Sequence, residues 1–290
     1  MRFVFFLNGV PPFPVAAYIT KAGGIDMAGK WEEIDQYARQ WIEEAGRRIR
    51  ASFAEQLTVE TKENRNDLVT NVDRGIEQFF AEHIRRQFPG HHILGEEGFG
   101  DELAVLDGIV WIIDPIDGTM NFIHQQRHFA VSVGIFEDGV GRLGYVYDVV
   151  FDELYSAQKG RGVFFNGKPL DRLQPVPIAE SIIAVNATWL MENRRIDHRP
   201  LVRLAKEARG TRSYGSAALE LAYVAAGRLD AYISPRLSPW DFAGGMILIE
   251  EAGGIVTNLD GKPLNLLSRN SVLAAKPGVH EEILQRYLRQ

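Results

Sequence analysis

Four short segments of this 290-residue chain place acidic side chains where they can hold cations or move protons. The densest is Asp114-Pro115-Ile116-Asp117-Gly118-Thr119. Pro115 pushes the residue before it toward extended geometry, which denies Asp114 a helix. Both acids are therefore expected just past the end of a continuously apolar strand over 108–113, where ligand sites of α/β sheets collect. Two carboxylates so placed can bridge a pair of hard cations, and Mg²⁺, which prefers oxygen ligands, suits them. Gly118 permits tight backbone geometry. A short helix starting near Thr119 would turn its free N–H groups toward a phosphate. The same six residues are also good turn chemistry, in which the acids merely cap backbone amides.

The other three segments carry the same ambiguity. Gly95-Glu96-Glu97-Gly98 follows a short apolar strand; its glutamates are either a solvated surface or one of them turns inward. Asp241, in Trp240-Asp241-Phe242-Ala243-Gly244-Gly245, begins an apolar helix and is either its N-cap or a cation ligand. Ala243, Gly244 and Gly245 keep that first turn slim enough for another backbone to pack closely. Asp67-Leu68-Val69-Thr70-Asn71-Val72-Asp73 reads as a capping segment, with Thr70 or Asn71 as the cap.

The elements that must position these residues follow from apolar spacing. Trp31, Ile34, Ala38, Trp41, Ile42, Ala45, Ile49 and Phe53 recur at helical period and predict a long helix over 30–56. Residues 57–71 are polar and turn-rich. Val72, Ile76, Phe79, Phe80, Ile84 and Phe88 predict a second helix, stopped by Pro89-Gly90. Segments 128–137, 142–150 and 153–157 read as an antiparallel meander. Beyond about residue 175 strands and helices alternate: strand 182–185, helices 198–208 and 216–226, strand 229–233, helix 241–252, strands 254–257 and 271–275, and a closing helix 279–288. Such alternation predicts an α/β layer. Two intimately packed subdomains, 27–175 and 176–290, are expected. Residues 1–26 read as an N-terminal extension: the apolar run 3–7 is short for a signal peptide, Pro11, Pro12 and Pro14 interrupt the residues after it, and Met27 could be the true start.

Composition narrows the class. The chain is 46% hydrophobic and 24% charged, an ordinary globular balance. A net charge of −6 argues against nucleic-acid or anionic-lipid partners. With no cysteine, thiolate–zinc sites and cysteine nucleophiles are excluded, and a cytoplasmic location fits. No apolar run reaches the roughly 18 residues of a membrane span.

Taken together and in order, Gly95-Glu96-Glu97, WIIDPIDGTMNF at 111–122, RSYGSAALELA at 212–222 and PWDFAGG at 239–245 resemble the inositol monophosphatase family. That family belongs to the lithium-sensitive, magnesium-dependent phosphatase superfamily that includes fructose-1,6-bisphosphatases. The resemblance covers residues 30–288 and implies an α/β fold of five layers, αβαβα. It implies hydrolysis of a small phosphorylated metabolite, inositol 1-phosphate first, with two or three Mg²⁺ per site, in a lithium-sensitive homodimer. Glu96, Asp114, the Ile116 carbonyl, Asp117 and Asp241 look like the metal ligands, with Asp114 shared between two ions. Glu96, Thr119 and Asp67 look like the catalytic set, Asp67 pairing with Thr119 to orient or deprotonate the attacking water. Gly118 and Thr119 would hold the phosphate through their amides. Gly215 and Ala217 would approach the alcohol, and Arg212 would contact it or brace the loop. The physics agrees: metal ions neutralise a doubly charged ester, activate water and stabilise the leaving alkoxide. His91, His92, His124 and His128 lie near these segments and read as structural or surface residues.

One position departs from the pattern. Animal inositol enzymes carry an acid seven residues before the aspartate that matches Asp241, and here that residue is Ser234. Loss of this hydroxyl-binding carboxylate, with Arg236 nearby, opens alternatives: fructose 1,6-bisphosphate, NADP or a 3′,5′-adenosine bisphosphate as substrate. A non-catalytic binding protein on the same fold would be expected to have lost part of the set, yet every member is present.

Overall fold

A computed structural model describes residues 27–62 and 68–288. The N-terminal extension expected over 1–26 lies outside the described residues. Helix α1 (Met27–Ser52) buries Trp31, Ile34, Ala38, Trp41, Ile42, Ala45 and Ile49 along one stripe, as their spacing predicts. The polar stretch after it is not all loop. It contains an antiparallel hairpin of β1 (Val59–Thr61) and β2 (Leu68–Thr70). Strand β1 is exposed throughout, so no apolar alternation announces it. Helix α2 (Asn71–Gln87) starts directly from β2, and Thr70 is its N-cap.

A seven-stranded sheet comes next: β3 (His92–Gly95), β4 (Ile109–Asp117), β5 (Ala130–Glu137), β6 (Val140–Asp148), β7 (Glu153–Gln158), β8 (Gly162–Phe165) and β9 (Lys168–Pro169), in that spatial order. Strands β3 and β4 are parallel and the rest antiparallel. The expected meander is present, lengthened by β8 and β9. Short helix α3 (Thr119–Gln125) bridges β4 to β5.

The alternating half forms a five-stranded mixed sheet. Its elements are β10 (Ile182–Val185), α4 (Arg199–Glu207), β11 (Gly210–Arg212), α5 (Ala217–Ala225), β12 (Ala231–Leu237), α6 (Pro239–Glu251), β13 (Ile255–Thr257), β14 (Asn270–Ala275) and α7 (Val279–Ile283). Their strand order is β11-β10-β12-β14-β13. The predicted closing helix ends as a π turn over Leu284–Leu288.

Strand period two divides the core into layers. On β4, Trp111 and Ile113 face α1 and α2, while Val110 and Ile112 face α5 and α6. On β12, Tyr232 faces α5 and α6, while Ala231 and Ile233 face α4 and α7. The result is αβαβα, with α5 and α6 sandwiched between the sheets. The slim start of α6 permits close backbone-to-backbone contact between layers. A Cβ on Gly244 would lie 2.6 Å from the Tyr145 carbonyl oxygen, and one on Gly144 would lie 2.7 Å from the Gly244 carbonyl oxygen. No helix among the described residues is long and apolar enough to cross a membrane.

Candidate active site

The site gathers at the C-terminal end of β4. The strand does not stop at Ile113 as its apolar run suggests. It continues to Asp117, with its register against β5 shifted between Asp114 and Asp117. Pro115, which has no N–H for the ladder, sits in that irregularity. Asp114 and Asp117 are thus strand residues on a rigid sheet, buried at 1% and 7% exposure. Asp114 Oδ1 accepts from the Ile116 N–H at 3.1 Å.

Strand β3 runs parallel to β4 with Gly95 opposite Ile113, so the following Glu96 arrives beside Asp114. Asp241, in the first turn of α6, comes from the other half. Its Oδ2 accepts from Ser238 N–H at 2.7 Å in a capping box. Cap and site residue are one side chain here. Carboxylate oxygens of Glu96, Asp114 and Asp241 lie within 4.8 Å of one another. Asp117 belongs to the same field, but its Oδ2 accepts from the Ala218 N–H at 2.8 Å and from the Ser216 hydroxyl. Those donors are at the N-terminus of α5, which favours an anion.

The electrostatics shows what such crowding costs. Burial raises Asp114 well above the usual carboxylate range, and the charges of Glu96, Asp117 and Asp241 raise it further. Asp241 is raised by burial and then by Asp117 and Glu96. Asp117 is pushed by burial up to about 6. Lys62 offsets part of this: its Nζ donates to Glu96 at 2.9 Å and Glu97 at 2.6 Å. Burial opposes the charge on Lys62, yet the two glutamates outweigh it and raise its pKa. Both of the adjacent glutamates therefore turn inward, where at most one was expected. A set of convergent, mutually repelling oxygen donors fits a hard divalent cation.

Thr119 opens α3 beside this cluster. Its hydroxyl donates to Asp73 Oδ1 at 3.2 Å and to the Ile116 carbonyl at 3.1 Å. Asp67, the expected partner of Thr119, lies outside the described residues. Among the described residues, the carboxylate at the hydroxyl is Asp73, whose sequence position suggests only a helix cap. It is indeed in the cap of α2: Asp73 Oδ2 accepts from Thr70 N–H at 2.9 Å, while Thr70 Oγ1 accepts from Val72 N–H. Its other oxygen reaches Thr119. An acid three residues after a threonine reads as a capping box, and that signal hides a second use.

Gly118 precedes α3 with φ 98°, a left-handed conformation that glycine adopts without strain. The turn after β11 packs on it: a Cβ on Gly118 would lie 3.3 Å from the Gly215 carbonyl oxygen. Asn121 Nδ2 ties the two together, donating to Tyr214 O at 2.7 Å and His128 O at 2.8 Å. Gly215 is exposed and Ala217 buried, with the Ala217 N–H directed at Asp117. Arg212 is exposed and donates to the carbonyl of its neighbour Thr211 at 2.8 Å. Ser234 is buried in β12, its hydroxyl 3.3 Å from Arg236 O. Two further acids stand outside the expected set, although Glu220 lies within the 212–222 motif. Glu77 accepts from Glu97 and Phe99 N–H at 2.7 and 2.9 Å, and Glu220 accepts from Tyr214 N–H at 2.6 Å. Both are isolated acids in helical patterns, where a solvated face is the default reading. Of the histidines, His91 accepts from Trp111 Nε1 at 3.0 Å, its pKa lowered by burial to about 4, while His92 and His124 are exposed.

The profile of the inositol monophosphatase family matches residues 30–290. The chain belongs to that family, and it is a phosphatase. It is 58% identical to the inositol-1-monophosphatase of Bacillus subtilis (strain 168), over 89% of this chain and 97% of that one. Among solved structures it resembles inositol monophosphatase II of Staphylococcus aureus (TM-score 0.81, 43% identity, 89% of this chain and 96% of that one). It also resembles an inositol monophosphatase/NADP phosphatase solved with Mg²⁺ and phosphate (TM-score 0.81, 31% identity, 88% and 95%). The expected αβαβα fold and family are thereby established.

Proposed function

We propose that this phosphatase is a divalent-metal-dependent inositol-1-monophosphatase. The observation that carries the reading is the convergence of Glu96, Asp114 and Asp241 beside the Gly118-Thr119 turn. Glu96, Asp114, Asp117, Asp241 and the Ile116 carbonyl would hold two or three Mg²⁺. Bound there, the ions would supply charge neutralisation for the ester and its leaving alkoxide. The chain supplies the rest. Gly118 and Thr119 present the amides for the phosphate. The Thr119 hydroxyl stands between the site and Asp73, so a proton taken from water at Oγ1 is relayed to Asp73 Oδ1. Burial raises Asp73 to about 6, which suits a proton acceptor near neutrality. Asp73 is the described carboxylate within reach of Thr119, and Asp67, which the family resemblance suggests as the partner of Thr119, is kept in the proposed catalytic set beside it. Residues 27–175 and 176–290 act as two subdomains sharing this site, in a lithium-sensitive, cytoplasmic homodimer.

The test is phosphate release from inositol 1-phosphate with Mg²⁺, with EDTA and with added Li⁺. Release that needs Mg²⁺ and falls with Li⁺ is expected. A second reading rests on Ser234: with no carboxylate there, the site has one fewer acceptor for ring hydroxyls. NADP and fructose 1,6-bisphosphate belong in the same panel. Strong preference for either would replace inositol 1-phosphate as the substrate, and no release from any ester would leave a binding protein on this fold.

A further inference from the structure

Glu220 is buried at 4% exposure and no part of the mechanism above uses it. It stands in the first turn of α5 and points back over its own N-terminus. There its carboxylate accepts the Tyr214 N–H at 2.6 Å, and the Gly215 N–H is directed at the same group. The turn it holds is the piece of backbone that touches Gly118, and the Gly215 φ of 79° gives the turn its sharp bend. Asn121 fixes the carbonyl side of the same peptide through Tyr214 O. Next in the chain, Ser216 and Ala218 bind Asp117. The Tyr214 N–H and carbonyl, the Gly215 N–H and the Ser216 hydroxyl are thus committed inward, while Gly215 itself stays exposed beside the phosphate-seating turn.

A phosphate ester seated at Gly118-Thr119 must project its alcohol past an adjoining wall, and this turn is such a wall. The strand side of the same region offers no acid, because β12 carries Ser234. We propose that Glu220 is a positioning residue for the leaving alcohol: it fixes the Tyr214-Gly215 turn against Gly118 and so sets which alcohols the site accepts. The proposal rests on the phosphatase site described above, with a polyhydroxylated alcohol as its substrate class. It separates Glu220 from the metal-holding acids, which act on the phosphate whatever alcohol is attached.

The full chain is compared as wild type, Glu220→Ala and Glu220→Gln, the last keeping an acceptor oxygen. Hydrogen exchange of the 210–216 segment reads the anchor directly and needs no turnover. It should speed up at least about tenfold in Glu220→Ala, the loss of one hydrogen bond, and recover most of the way in Glu220→Gln. KM for the best polyol phosphate of the panel should rise about tenfold relative to KM for phenyl phosphate, whose alcohol has no further hydroxyls. Mg²⁺ affinity by calorimetry should be unchanged. Unaltered exchange in Glu220→Ala overturns the proposal, as does an equal loss on both esters or a weakened Mg²⁺ affinity. Failure of the inositol reading shows up separately, as a wild type that prefers another polyol phosphate while the exchange result stands.

Discussion

The end of β4 and the crossing of α6 over β5 and β6 lie on one sheet, yet they are built on opposing physical terms. At β4, Asp114 and Asp117 are buried beside Glu96 and Asp241, and each raises the cost of ionising the others. At the crossing, Gly134, Gly144 and Gly244 bring backbones together with no side chain between them, and Phe136 and Ile247 pack around them. The first region gives up stability so that anions converge. The second recovers it by close packing that needs no charge. The difference teaches where each kind of substitution should be felt: in turnover at the first, in folding at the second.

The sharpest break of that contrast is Asp114→Asn. Phosphate release should fall by roughly three orders of magnitude, because one charge is removed from the centre of the set. In EDTA the same variant should melt at a higher temperature than wild type, since a buried repulsion is relieved. Thermal melts in EDTA decide this, and a lower Tm would show that the carboxylates are not in tension. Gly144→Ala should do the reverse. Its Cβ meets the Gly244 carbonyl oxygen at 2.7 Å and Ile247 Cβ at 2.8 Å, and backbone cannot step aside as a side chain can. Overpacking of this kind costs about 1–3 kcal/mol. Urea unfolding should show that loss while calorimetric Mg²⁺ affinity stays put; a shift in affinity would mean the two regions are mechanically one.

pH sharpens the comparison further. Burial raises Asp73 and Asp117 to about 6, and Glu97 and Glu220 to about 7, above the ordinary carboxylate value near 4. An acid raised in the folded state favours folding below its unfolded pKa. That contribution is lost as pH climbs to the folded pKa, at about 1.4 kcal/mol per unit of difference. In EDTA the Tm should therefore decline between about pH 4 and pH 7. Saturating Mg²⁺ should flatten the decline, because the metal takes the place of the protons. A flat profile in EDTA would remove the electrostatic half of the comparison.

The crossing was legible in the sequence and the site only partly so, for a physical reason. Ala243-Gly244-Gly245 announces close backbone contact because glycine in a helix has little other use. A continuous apolar run marks β4, and helical spacing of apolar residues marks α1 and α2, because burial and period coincide there. The misleading residues are those with two roles. Asp114 and Asp117 seem to lie beyond a strand because Pro115 ordinarily ends one, and the irregularity that admits it depends on pairing with β5. Glu97 reads as surface until Lys62, the residue after β1, is brought over by chain folding. Asp73 reads only as a cap because nothing in its spacing shows that the turn from β2 into α2 brings its second oxygen to Thr119.

That double role of Asp73 yields the smallest and most discriminating effect. Its Oδ2 takes both the N–H and the hydroxyl of Thr70, and its Oδ1 takes the Thr119 hydroxyl. Thr70→Val keeps shape and β-branching but removes the hydroxyl that Val72 and Asp73 N–H use. Loss of such a cap costs about 1 kcal/mol. Were Thr70 only a cap, turnover per folded molecule would not change. If instead the cap sets how Asp73 meets Thr119, kcat should fall several-fold with KM unmoved, and Thr70→Ser should restore it. The kcat and KM of these two variants therefore report whether α2 is anchored for stability alone or for the proposed proton relay at Thr119.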